Sequence, residues 1–265
     1  MSLQAVADVK SCCAAAYSSP AVAFLLGESL HPGGAALTRR LADALQLRSG
    51  QRVLDVASGR GTTALLLARE YAVAVDGVDL SDASVREATA AARSASRPAT
   101  VAFHLADAEH LPFEDETFDA LVCECSWCLF PDKERAATEF ARVLRPGGRV
   151  GIADVTVGQA GLPDGLAELP AWIACLAGAR TTDGYVGLLT AAGLTAELVE
   201  DHSDALAALV ARIQARLKLA RALIEPGAQP ESDAVERGLA LAARAADAVS
   251  RGALGYCLVV AQRDR

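Results

Sequence analysis

The sequence is poor in aromatic residues and lacks any excess of positive charge. Only 5% of its 265 residues are Phe, Trp or Tyr, and 33 acidic residues outnumber 25 basic ones, which gives a net charge of −8. Because an acidic surface repels phosphate backbones and anionic lipid, neither a nucleic acid nor a membrane surface is expected as a partner. No apolar run reaches the length of a membrane span. The first residues lack the basic-then-apolar order of a signal peptide, so a cytoplasmic location is expected.

Cysteine, in contrast, is not scarce. Seven cysteines stand at positions 12, 13, 123, 125, 128, 175 and 257. In a reducing compartment they are expected to be thiols rather than a disulfide framework. An isolated cysteine usually packs as a small buried hydrophobe, and Cys257 lies in an apolar run that fits this interpretation. The group Cys123, Cys125 and Cys128 falls within six residues and needs a further explanation.

Short apolar segments alternate with amphipathic ones between Arg52 and Asp154. This rhythm predicts a parallel sheet with helices on both faces. Two later strands, near residues 195–199 and 255–261, bring the total to seven, and two helices over 204–224 and 231–250 precede the last of them. The expected parts are an N-terminal helical cap over residues 1–50, a core formed by 51–202 and 251–265, and a helical insertion over 203–250.

A glycine-bearing turn follows the first strand of this core, in the run Val53-Leu-Asp-Val-Ala-Ser-Gly-Arg-Gly-Thr. Glycines let a cofactor approach the backbone, and the helix that begins after them offers free N–H donors. Asp55 ends the first strand, where it can orient the turn or reach an amino group, and Asp79 ends the second strand, where it can bind ribose hydroxyls. The turn alone fits a nicotinamide dinucleotide as well. The plain alternative is that both acids only cap helices and the glycines only turn the chain.

A third feature separates these interpretations. Ala106-Asp107-Ala108 follows the third strand, which is the order in which class I methyltransferases present an acid to the adenine amino group. Residues 51–154 resemble the class I S-adenosylmethionine-dependent methyltransferases throughout, in the motifs VLDVASGRGT, GVDLS, ADAEHLPFEDETFDALV and FARVLRPGGRVGIADV. The resemblance implies a Rossmann-like α/β fold with a seven-stranded, mostly parallel sheet, and S-adenosylmethionine as the cofactor.

The same resemblance assigns cofactor contacts residue by residue. They are Asp55, Gly59 and Gly61 in the first loop, Asp79 and Leu80 at the ribose and adenine, and Asp107 with Ala108 at the adenine amino group. Ala57 stands where the family often has glycine, and its methyl group is expected to narrow the loop around the methionine part. Cys123 is added as a contact because the cofactor methyl in this fold points to the end of the fourth strand.

That strand end carries the cysteine group. On an extended strand, Cys123 and Cys125 are expected to share a face. The spacing from Cys125 to Cys128 suggests zinc, but no second CxxC and no suitably spaced histidine pair follows, so no resident metal is predicted. The stretch from Cys125 to Lys133 instead resembles the segment of arsenite methyltransferases in which a cysteine stands six residues before Pro-Asp-Lys.

A second local likeness lies at Ala174-Cys-Leu-Ala-Gly, where Cys175 matches the other cysteine with which those enzymes hold trivalent arsenic. Cys12 or Cys13 is expected to supply a further thiolate or to reduce the product. The resemblance implies that thiolates bind As(III) as substrate, whose lone pair attacks the cofactor methyl. No protein base is needed in that reaction, because the lone pair carries no proton.

The competing hypothesis is methyl transfer to oxygen, nitrogen or carbon of a small organic molecule, with the cysteines as packing. A base is then needed where the acceptor carries a proton, and the candidates are Glu124 and His31, between which the sequence does not choose. His31, His104, His110 and His202 are all expected on the surface or in loops. A non-catalytic partner subunit is disfavoured by the intact cofactor motifs. The acceptor is thus a small molecule or a metalloid, and the oligomeric state is unknown.

Overall fold

A computed structural model describes residues 31–94, 100–162, 178–224 and 229–264, together with residues 25, 27, 166 and 176. Most of the predicted N-terminal helical cap before residue 31 falls outside the described residues. Cys12, Cys13 and Cys175 also fall outside them. The helices are α1 (Gly34–Ala44), α2 (Thr62–Tyr71), α3 (Asp82–Ser94), α4 (Lys133–Val143), α5 (Thr182–Ala191), α6 (Ser203–Leu223) and α7 (Gln229–Ser250). The strands are β1 (Arg52–Val56), β2 (Ala74–Asp79), β3 (Val101–Leu105), β4 (Phe118–Glu124), β5 (Leu144–Val157), β6 (Leu194–Asp201) and β7 (Leu254–Arg263).

The seven strands form one sheet in the order β3-β2-β1-β4-β5-β7-β6. All neighbours are parallel except β7, which runs antiparallel to both β5 and β6. This confirms the predicted Rossmann-like, seven-stranded, mostly parallel sheet. The strand order reverses between β1 and β4, and in open α/β sheets ligands bind at the carboxyl ends of the strands at such a reversal.

Helices cover both faces of the sheet, as predicted. One apolar cluster joins α1, α2, α6 and α7 to one face, and a second joins α4 and α5 to the other. Because each interior strand is covered on both sides, β1, β4 and β5 are nearly continuous runs of buried residues rather than alternating ones. The burial fixes the strand register and hence the relative height of the strand ends.

The hairpin of α6 and α7 shares its core with the sheet. Leu206 and Val210 of α6 and Ala248 of α7 belong to the same buried cluster as Tyr256 of β7. This packing is consistent with an insertion before the last strand, although the proposed division into three parts stays a prediction. No helix in the described part of the chain has the length and apolar character needed to cross a membrane.

The sequence predicts a turn at His31-Pro-Gly-Gly and an amphipathic helix that begins at Thr38, but α1 begins earlier, at Gly34. Gly33 has a φ of 75°, and a Cβ there would lie 2.6 Å from the Cβ of Leu37, so only glycine allows this tight entry. The His31-Pro-Gly-Gly turn therefore folds directly onto the helix instead of preceding it as a separate loop. This places Thr38 inside α1 and His31 against it.

Gly77 in β2 provides a test of the packing behind the cofactor loop. A Cβ at this position would lie 2.5 Å from the Phe103 ring and 2.9 Å from the Ser58 hydroxyl. We expect Gly77→Ala to lower the free energy of unfolding by about 1–3 kcal/mol, as overpacking does. Gly187→Ala is the control, because Gly187 in α5 has no atom within 4 Å of its Cβ position, and it should gain about 0.5–1 kcal/mol. Urea denaturation measures both, and equal effects would contradict the packing argument.

Candidate functional site

The glycine turn after β1 is held against β2 by a carboxylate. One oxygen of Asp79 accepts the N–H of Gly59 at 2.8 Å, and the other accepts the N–H of Ser81 at 2.8 Å. Gly59 and Gly61 have φ angles of 51° and 78°, and a Cβ at Gly61 would lie 2.5 Å from Phe103. Asp79 thus organises the turn, and each of its oxygens retains a lone pair for the predicted ribose contact.

Ala57 also adopts the left-handed conformation, with a φ of 57°. For a residue with a Cβ this conformation costs about 1–2 kcal/mol, which explains why glycine is favourable at this position. The methyl group of Ala57 is also predicted to narrow the loop around the methionine part of the cofactor, and this stays a prediction. The left-handed backbone of Ala57 is a separate energetic cost that the structure reveals.

Asp55 lies at the end of β1 with 3% of its surface exposed. One oxygen accepts the N–H of Ala64 at the start of α2, while Oδ2 has no hydrogen-bond partner within the described structure. Burial raises the pKa of this carboxyl well above its usual range, and the nearby charges of Glu124 and Asp79 raise it further. A buried acceptor without a donor, among like charges, fits the cationic α-amino group of S-adenosylmethionine.

The adenine side of the site lies beyond β2 and β3. Leu80 and Leu105, which end the two strands, are 43% and 59% exposed, so they leave an apolar surface open at this edge. The N–H of Ala106 donates to the carbonyl of Asp79 at 3.0 Å, and Asp107 accepts the N–H of Glu109 at 3.0 Å. The predicted contacts therefore line one continuous edge of the sheet, although their role toward the adenine stays a prediction.

A second polar cluster occupies the end of β4, beside Asp55. Glu124, whose side chain is only 5% exposed, accepts the hydroxyl of Thr63 at 2.6 Å and lies 3.2 Å from the hydroxyl of Thr38. The Nε2 atom of His31 lies 3.7 Å from Glu124 Oε2 and 3.4 Å from Thr38 Oγ1. Helices α1 and α2 and strand β4 thus converge on one buried carboxylate.

His31 lies in the turn before α1, which agrees with the expected loop position, but it is buried rather than on the surface. Its Nδ1 lies 3.0 Å from the carbonyl of Pro32, which can only accept, so Nδ1 carries the proton in the neutral ring. The Nε2 lone pair then faces Glu124. The sequence named both residues as candidate bases but gave no sign of their contact, because residues 31 and 124 meet only through packing of α1 on the sheet.

The other histidines lie at the surface or in loops, as expected. His104 is at the surface within β3, where its side chain is 39% exposed and pairs with Asp76 at 2.9 Å. His202, at the end of β6, pairs with Glu200 at 2.9 Å. His110 is exposed, as predicted.

Cys123 and Cys125 do not share a face. Cys125 has a φ of 52° just past β4, so its side chain turns to the cluster formed with α1, while Cys123 belongs to the cluster formed with α4. The Cys123 thiol is fully buried, 3.1 Å from the Ser126 hydroxyl, and burial raises its pKa well above the usual range. The prediction that Cys123 contacts the cofactor gains no support from this position.

The remaining described cysteines are buried as well. The Cys128 thiol bonds to the carboxylate of Asp154, and burial raises the pKa of Cys257 to about 12. Among the described residues, no group of three or more His, Cys, Asp or Glu side chains is arranged to hold a metal ion. The predicted pairing of Cys125 with Cys175 involves a residue outside the described part, and the same holds for Cys12 and Cys13.

Asp55→Asn tests whether the unpaired carboxylate serves the cofactor. Since its folded pKa lies above the unfolded value, ionised Asp55 costs stability as pH rises above that unfolded value. At pH 7.5 we therefore expect Asp55→Asn to raise the free energy of unfolding of the free protein. Loss of a charged hydrogen bond should weaken S-adenosylmethionine binding about 10- to 100-fold.

Urea denaturation without cofactor and titration calorimetry with it measure the two effects of Asp55→Asn. In the unchanged protein, bound ammonium lowers the proton affinity of Asp55, so cofactor affinity should rise with pH. A variant that is both less stable and equally good at binding would contradict this assignment.

Comparison with known proteins shows the family of this chain. A family described as a methyltransferase domain matches residues 53–148. The methyltransferase GfsG of Streptomyces halstedii is 36% identical over 67% of this chain and 64% of its own length. The 27-O-demethylrifamycin SV methyltransferase of Amycolatopsis mediterranei is 34% identical over 68% of this chain and 71% of its own. The chain thus spans roughly two thirds of each relative.

An arsenite methyltransferase of Halobacterium salinarum is also similar, with 38% identity, but over only 56% of this chain and 38% of its own length. Among solved structures, the [4+2]-cyclase SpnF matches 86% of this chain and 80% of its own, with 28% identity and a TM-score of 0.71. A phosphoethanolamine N-methyltransferase of Haemonchus contortus, solved with S-adenosylmethionine, shares the fold at 19% identity, with a TM-score of 0.81 over 97% of this chain and 60% of its own. The cofactor is S-adenosylmethionine, and the chain belongs to the class I S-adenosylmethionine-dependent methyltransferases.

Proposed function

We propose that the protein transfers the methyl group of S-adenosylmethionine to a hydroxyl oxygen of a small organic molecule. The observation that carries this proposal is the buried pair of His31 and Glu124 beside the cofactor loop. A hydroxyl acceptor loses a proton during methylation, and a histidine with its lone pair next to a carboxylate is suited to take it. A metalloid acceptor would give this pair no role.

The reaction follows from the charges. S-adenosylmethionine, when bound, would supply an activated sulfonium methyl for in-line attack by the acceptor oxygen, with the neutral thioether as the leaving group. The hydroxyl proton passes to the pair, where Nε2 of His31 binds it and Glu124 balances the resulting imidazolium. Thr38 lies within hydrogen-bonding distance of both groups and keeps them aligned. The contact from Nδ1 to Pro32 keeps the ring in the tautomer that accepts at Nε2.

The relatives support oxygen as the acceptor atom. The Amycolatopsis relative is named as a 27-O-demethylrifamycin SV methyltransferase, and the match covers more than two thirds of each chain. We infer that the acceptor here is likewise a hydroxylated organic compound rather than a macromolecule, in agreement with the acidic composition.

His31→Gln tests the proposed base, because glutamine keeps polar contacts but cannot take the proton. We expect turnover to fall about 100- to 10,000-fold, while the dissociation constant for S-adenosylmethionine changes little. Turnover is followed as S-adenosylhomocysteine release with a panel of hydroxylated polyketides and phenols that includes 27-O-demethylrifamycin SV. His202→Gln is the matched control, since it removes a similar histidine–glutamate pair three strands away from β4.

The proposal would fail if His31→Gln and His202→Gln retained equal turnover. Loss of turnover through misfolding would instead also weaken S-adenosylmethionine binding and lower the thermal stability of His31→Gln.

Arsenite is the second candidate. Cys125 favours it, because this residue is partly exposed and adopts a left-handed conformation at the end of β4, close to Glu124. On this proposal Cys125 and Cys175, with Cys12 or Cys13, hold As(III) as substrate. The other described cysteines do not support a thiolate site, because each of them is buried.

Arsenite with glutathione and labelled S-adenosylmethionine tests this second candidate. If it holds, methylated arsenic forms, Cys125→Ser abolishes it, and His31→Gln leaves it unchanged because the arsenic lone pair bears no proton. Cys257→Ser is the control thiol, since Cys257 lies in the core of β7. The absence of methylated arsenic, together with unchanged arsenite binding in Cys125→Ser, would reject the arsenic acceptor.

A further inference from the structure

We propose that Glu139 and Arg142 of α4 position the turn that binds the adenosine half of the cofactor. This turn, residues 106–113, is called the adenine-side turn below. It connects β3 toward β4 and carries the predicted adenine contacts Asp107 and Ala108. The proposal concerns cofactor binding alone and does not depend on the identity of the methyl acceptor.

Helix α4 holds the backbone of the turn by hydrogen bonds to these two side chains. The N–H of Leu111 donates to Glu139 Oε2 at 2.8 Å. Arg142 donates from Nη1 to the carbonyl of Phe113 at 2.7 Å and from Nη2 to the carbonyl of Leu111 at 3.1 Å. An irregular turn has no ladder of its own to pair these groups, so the helix supplies their partners.

The two side chains also bind each other in a fork. Arg142 Nε lies 2.9 Å from Glu139 Oε1, and Nη2 lies 2.8 Å from Oε2. Burial alone would raise the pKa of Glu139, but Arg142 and the N–H of Leu111 outweigh it and lower the pKa. A buried carboxylate is tolerated only when its oxygens are paired in this way, so removing one partner disturbs the others. The planar guanidinium fits this geometry and an ammonium group does not.

The turn is fastened to α4 at a second place, near its cofactor end. Glu109, which is buried, accepts the N–H of Asp132 at 2.9 Å, and Arg135 donates to the Glu109 carbonyl at 3.2 Å. Glu109 in turn donates its own N–H to Asp107. The position of Asp107 is therefore set from the α4 side of the molecule, in addition to the bond from the Ala106 N–H to the Asp79 carbonyl.

Arg142→Lys is the main test, because lysine keeps the charge but cannot form the fork. The ligands are S-adenosylhomocysteine and 5′-methylthioadenosine, which lacks the amino-acid end. We expect the dissociation constants of both ligands to rise by the same factor, about tenfold, with turnover at saturating cofactor unchanged. Glu139→Gln should act in the same direction.

Two variants give the contrast. Asp55→Asn should weaken S-adenosylhomocysteine but not 5′-methylthioadenosine, because Asp55 faces the amino-acid end. Arg149→Lys removes the Nε contact of a surface pair with Glu197, 2.7 Å long and between β5 and β6, and should change neither ligand.

The proposal is overturned if Arg142→Lys binds 5′-methylthioadenosine as tightly as the unchanged protein does. It is also overturned if turnover at saturation falls in parallel with a loss of thermal stability, or if neither Arg142→Lys nor Glu139→Gln folds, because the pair then has a general structural role. All binding arms are run without an acceptor, so they are independent of the proposed oxygen methylation.

Discussion

The site depends on the concentration of negative charge at the carboxyl ends of three neighbouring strands. Asp55, Asp79 and Glu124 end β1, β2 and β4, and parallel register brings them to the same edge. Each charge is compensated differently. Asp79 has two backbone donors, Glu124 has hydroxyls and a histidine, and Asp55 has one backbone donor and an oxygen without a partner among the described residues. A cationic ligand suits this arrangement, and S-adenosylmethionine carries both an ammonium and a sulfonium group.

The two sides of this sheet edge differ in how far they are exposed. The side toward β2 and β3 is open and partly apolar, with Leu80 and Leu105 exposed, which suits a nucleoside. The side toward β4 is closed by α1, which brings His31 and Thr38 onto Glu124. On the proposed assignment the methyl donor and the acceptor lie on opposite sides of β1, and α4 holds the turn that follows β3.

The cofactor motifs could be predicted because each is local. A strand, a glycine turn and a helix start lie within about a dozen residues, and the acids at strand ends follow from the alternation of elements. The helix bounds were correct to within a few residues for the same reason. The largest difference between predicted and observed helix bounds was at α1. The sequence predicted a separate turn there, but Gly33 and Gly34 form the start of the helix. The prediction that Cys123 and Cys125 share a face was wrong. Cys125 has a left-handed backbone conformation, which breaks the alternation of side chains that a regular strand would have.

The sequence by itself determined the fold class, because hydrophobic period and glycine positions are set by neighbouring residues, and its resemblance to a known family implied the cofactor. Tertiary structure alone decided the partners of the acidic groups. His31 meets Glu124 across 93 positions and Arg142 reaches Phe113 across 29, and contacts of that separation arise only when helices pack on the sheet. Burial comes from the same packing. It left one oxygen of Asp55 without a hydrogen-bond partner among the described residues, and it made Cys123 and Cys128 core residues. Residue spacing alone does not reveal either feature.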